Sequence, residues 1–104
     1  MAKSEIFAGV CGFSTRVEAV KNEDYSVMLK ITSECKDIQK LAEEIPEVNA
    51  FEQISFRRGV PTVLEKAQKY CSHASCPVPA GIIKTVEVAA GLALPADVSI
   101  RIEK

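Results

Sequence analysis

An α+β domain, built from an antiparallel sheet of three to four strands with helices packed on one face, is what this sequence predicts. Two observations predict it. In the first third of the chain, and again in its last few residues, apolar side chains alternate with polar ones, the period of a half-buried strand. Between these stretches the apolar residues recur at helical spacing, and prolines and glycines punctuate the runs. Strands in a run followed by helices in a run imply segregated layers rather than alternating β-α-β units. The order reads β-β-β-α-α-α-β, and residues 1–104 make one domain of ordinary size.

The first strand is expected from Ser4 to Cys11, where Ile6, Phe7, Ala8 and Val10 form a nearly continuous apolar run closed by Cys11-Gly12. Thr15 to Lys21 is the second, with Val17 and Ala19 on one face and Arg16 and Glu18 on the other. Asn22-Glu23-Asp24 is a turn signal. Tyr25 to Thr32 is the third strand, in which Val27, Leu29 and Ile31 alternate with Ser26, Met28 and Lys30. Short connections make the three an antiparallel meander.

Ser33 is a good N-cap residue for the helix that follows. From Lys36 to Ile45 the apolar residues are Ile38, Leu41, Ala42 and Ile45, one helical face, and Pro46 ends the run. Glu47 to Arg58 reads as a short helix opened by an Asn49–Glu52 capping pair, or as an apolar lid around Phe51 to Phe56. Gly59 breaks it, and Pro61 suits the first turn of a helix reaching Tyr70. A further helix runs from Val78 or Ala80 to Ala90, with Gly91 just past its end. Val98, Ile100 and Ile102 alternate with Ser99, Arg101 and Glu103, the pattern of a closing strand.

Thirteen basic residues stand against fourteen acidic ones, a net charge of −1, with Arg57 and Arg58 the only adjacent arginines. A nucleic-acid footprint needs clustered basic charge, so no nucleic-acid partner is expected. No apolar stretch reaches membrane-spanning length, and MAKSEIFAGV lacks the long apolar run of a secretory leader, so a cytoplasmic protein without a membrane partner is expected.

Four cysteines in a reducing compartment read first as metal ligands or reactive thiols. Cys11 lies near the end of the first strand and Cys35 at the start of the first helix. Cys71 and Cys76 bracket the connector CSHASC between two helices. All four fall at element ends. If the two pairs meet, Cys11, Cys35, Cys71 and Cys76 form a four-thiolate site for zinc or an iron–sulfur cluster. Helix N-termini at Cys35 and Cys76 would offset thiolate charge. His73, the only histidine, would replace one thiolate, lower a neighbouring thiol's pKa, or simply lie on the surface.

Two other classes compete with this reading. A thiol oxidoreductase or redox sensor would use Cys76, activated at a helix start, with Cys71 as resolving thiol. An interaction domain would keep its cysteines buried and silent, and an exposed edge strand or the Phe51–Phe56 lid would favour a homodimer. Glycine-rich phosphate loops are missing, and Asp37, Glu43 and Glu44 read as the wet face of a helix.

At AGVCGF (Ala8 to Phe13) and CPVPAGIIK (Cys76 to Lys84) the chain resembles a group of small uncharacterised proteins of anaerobic bacteria and archaea. The resemblance implies no activity and no site residue. It implies an intracellular, reducing setting in which iron–sulfur chemistry can operate.

Overall fold

A computed structural model describes residues 1–104. Four strands form one antiparallel sheet in the order β1-β2-β3-β4: β1 (Ala2–Phe7), β2 (Ser14–Lys21), β3 (Ser26–Ser33) and β4 (Glu47–Asn49). The helices are α1 (Lys36–Glu44), α2 (Ala50–Gln53), α3 (Thr62–Tyr70) and α4 (Val78–Ala89). The α+β class is as the sequence predicts.

Alternation sets the layers. Thr15, Val17 and Ala19 of β2 and Val27 of β3 point inward, and Ile38, Leu41, Val63, Ile82 and Val86 of the helices close on them to form one core. The opposite sheet face carries Lys3, Glu5, Arg16, Met28 and Lys30 and is wet, as one face of an antiparallel sheet can be. α4 lies against β1. Its Gly81 faces Ile6 so closely that a Cβ there would strike the Ile6 side chain. One turn on, the Thr85 hydroxyl donates to the Gly81 carbonyl at 2.8 Å and receives the Ser4 hydroxyl at 2.6 Å. So α4 runs from the Phe7 end of β1 towards its Ala2 end.

The register also assigns the backbone directions. Ala8 N–H donates to Phe13 carbonyl, and Asn22 N–H to Ser26 carbonyl, which mark hydrogen-bonded pairs at the ends of the two hairpins. In an antiparallel ladder such pairs alternate with non-bonded ones. With Ile6 opposite Thr15 and Ser4 opposite Val17, residues 2, 4 and 6 turn their amides towards β2. Lys3, Glu5 and Phe7 turn theirs to the open edge.

The first strand ends at Phe7 rather than Cys11, Cys35 rather than Ser33 is the N-cap residue of α1, and two expectations about the last strand change. The fourth strand is Glu47–Asn49, not the C-terminus. Leu29 N–H donates to Pro46 carbonyl and Ala50 N–H to Tyr25 carbonyl, so pairing continues at both ends of this short strand. Asn49 then caps α2, its Oδ1 accepting from Phe51 N–H at 2.9 Å and Glu52 N–H at 3.3 Å. The closing strand expected at Val98–Ile102 is not paired to the sheet. Residues 93–104 have no backbone hydrogen bond, and every residue from Gly91 onwards is exposed.

Candidate functional site

The cysteines do not assemble the expected site. Cys11 lies in the loop beyond β1, which ends at Phe7 rather than at Cys11. Gly9 and Gly12, at φ +99° and +76°, shape that loop, and Cys11 is exposed in it. Cys35 is the N-cap residue of α1, its N–H bound to Ser33 Oγ at 3.1 Å. Cys71 is the C-cap residue of α3. Cys76 precedes Pro77, the N-cap residue of α4, and its N–H donates to the His73 carbonyl at 3.2 Å. Cys35, Cys71 and Cys76 are partly buried against the core.

No group of three or more His, Cys, Asp or Glu side chains is placed to hold a metal ion. The reading of Cys11, Cys35, Cys71 and Cys76 as a zinc or iron–sulfur site is therefore corrected. Spacing put the sulfurs at element ends, but the glycine-shaped loop carries Cys11 into solvent. The other three sulfurs pack at the core margin, and although Cys35 and Cys76 act on the charge of Cys71 they form no metal-holding group with it. His73 is exposed on the connector.

Electrostatics bear on Cys71, the resolving thiol of the redox reading. Burial pushes the Cys71 thiol up to about 11, helped by the negative charge of Cys76, Asp37 and Cys35. A thiol in that state is protonated at neutral pH and a poor nucleophile. The connector is instead pinned structurally. Ser72 donates its N–H (3.1 Å) and its hydroxyl (2.8 Å) to Asp37 Oδ2 on α1. These bonds hold the Asp37 carboxyl below its usual value, helped by Lys40 and His73.

The unusual surface lies elsewhere, at the edge of β1 and in the segment that follows α4. Gly91, at φ +76°, ends the helix, and Leu92 N–H makes the last backbone bond, to Glu87 carbonyl. Pro95 to Val98 then pass over a groove floored by Ala2 to Ile6 of β1 and by Gly81, Lys84, Thr85 and Val88 of α4. The apolar side chains of this segment are largely exposed. Leu94 is 89% exposed, Val98 63%, Ile100 76% and Ile102 87%. Scattered exposed apolar residues are ordinary, but three in strict alternation on one unpaired segment are not. The opposite edge is less available, since β4 has three residues and follows Pro46. Phe51, Ile54 and Phe56 are also exposed, with the Phe51 ring 4.8 Å from that of Tyr25. No helix is long and apolar enough to cross a membrane.

Residues 2–102 match the model of a family of unknown function (DUF6951). No curated protein and no solved structure matches the chain.

Proposed function

We propose that this chain, which belongs to the DUF6951 family, is a self-association module whose working form is a homodimer. One observation carries the reading: the C-terminal segment keeps the alternating pattern of a half-buried strand while Val98, Ile100 and Ile102 stand in solvent. Such a pattern suits a face that becomes covered. Burying three β-branched side chains would contribute roughly 1.5–3 kcal/mol each before the losses of association are counted. The free edge of β1 offers the backbone partners that residues 93–104 lack. Four unpaired thiols suit a reducing compartment, and we place the protein in the cytoplasm.

Sedimentation equilibrium of the full chain tests this. The expected result is a dimer at micromolar concentration that Ile100→Asp converts to monomer. Ile100 is exposed in the single chain, so its replacement leaves the fold intact. A full chain that stays monomeric at hundreds of micromolar would overturn the proposal.

A further inference from the structure

Resting on that reading, we infer that the segment Val98–Glu103 of one copy adds as a fifth, antiparallel strand to the open edge of β1 in a second copy, reciprocally. Charge and polarity choose the register. Place Glu103 opposite Lys3, and Arg101 falls opposite Glu5. Ile100 then falls opposite Ile6, Ile102 opposite Ser4 and Val98 opposite Ala8. Both charge pairs are attractive and lie on the wet face. The apolar side chains share the helix-covered face with Ile6, which already packs against the core. The new pair would extend an existing row, because Arg16 on β2 holds Glu5 at 3.1 Å.

Neighbouring registers fail. A two-residue slip either way sets Lys3 against Arg101 or Glu5 against Glu103, and like charges directly opposite are destabilising. A one-residue slip turns Val98, Ile100 and Ile102 to the wet face. A parallel strand with Arg101 beside Lys3 brings Glu103 beside Glu5, like charge against like, and one with Arg101 beside Glu5 sets Glu103 beside Phe7 and keeps only one of the two charge pairs.

Geometry keeps this antiparallel register off the chain's own edge and leaves it to a second copy. α4 ends at the Ala2 end of β1, whereas the antiparallel register starts with Val98 at the Ala8 end. Gly91 to Val98 spans at most about 25 Å fully extended. Running the length of β1 takes about 20 Å. The remainder is too short for the reversal that antiparallel pairing needs. Each copy offers one segment and one edge, so reciprocal exchange closes a two-fold dimer with neither left over.

A charge-swap cycle read by sedimentation equilibrium tests the register. Lys3→Glu and Glu103→Lys should each weaken the dimer Kd roughly tenfold, since each change acts at two symmetric places. The double variant should recover to within about threefold of the native chain, because the attraction is restored with its sign exchanged. Both positions are exposed, and thermal melts check that each variant is folded. A dimer whose Kd ignores the single changes, or whose double variant is as weak as the sum of the singles, would overturn this strand pairing while leaving self-association standing. A native chain that is monomeric throughout would overturn both. Assembly into open chains of growing mass would overturn reciprocal exchange.

Discussion

Ser72 holds Asp37 Oδ2 with two donors, its N–H at 3.1 Å and its hydroxyl at 2.8 Å, and so ties the connector between α3 and α4 to the first turn of α1. The backbone bond contributes most to lowering the Asp37 pKa and the hydroxyl contributes next. Because the folded carboxylate binds its proton less tightly than the unfolded one, its contribution is present above the ordinary carboxylate pKa. It is lost as pH falls through the lowered folded value. Ser72→Ala should move the Asp37 pKa up towards its ordinary value, read by an NMR pH titration. An unmoved pKa would contradict the hydroxyl's role.

Cys71 gives the alkaline counterpart. Its folded pKa of about 11 lies above the ordinary thiol value of 9.0. Between those values the unfolded chain has lost a proton that the folded chain keeps, so stability should fall as pH rises from about 9 to 11. At pH 7.5 Cys71 is held as the protonated thiol, so iodoacetamide should label it far more slowly than exposed Cys11. Asp37→Asn should speed Cys71 labelling by removing a negative neighbour. Peptide mass spectrometry across a pH series checks both.

Gln53 joins two elements from a buried position. Its Oε1 accepts the Val63 N–H at 2.9 Å near the start of α3, and its Nε2 donates to the Asn49 carbonyl at 3.2 Å. Gln53→Met keeps the volume and leaves the Val63 donor without a partner. Urea denaturation should show a loss of about 1–3 kcal/mol. Leu41→Ala, at a fully buried site, should cost about 2–5 kcal/mol by the same measurement.

Periodicity exposed the elements that bury one face. The alternation at Val17 and Ala19 gave β2, and Ile38, Leu41, Ala42 and Ile45 gave α1, stopped before Pro46. It could not show β4, whose three residues are too few to alternate and which rests on bonds beside Tyr25, Leu29 and Pro46. Gln53 gave no signal, since a polar residue in a short irregular segment reads as solvated. Cys11 misled because its position along the chain says nothing of where a glycine-shaped loop points. The alternation from Val98 to Glu103 was legible as a strand, but a pattern records which face a segment would bury, not which molecule covers it.

Amide hydrogen exchange along β1, resolved by residue and measured above and below the dimer Kd, tests the association most directly. Ser4 and Ile6 bond to β2 within one copy and should be protected at both concentrations. Lys3, Glu5 and Phe7 face the open edge, so their amides should be slow in the dimer and fast in the monomer. Fast exchange at Lys3, Glu5 and Phe7 in a sample of dimeric mass would contradict strand addition at this edge. Equal protection of all five in a monomer would show that the chain covers its own edge.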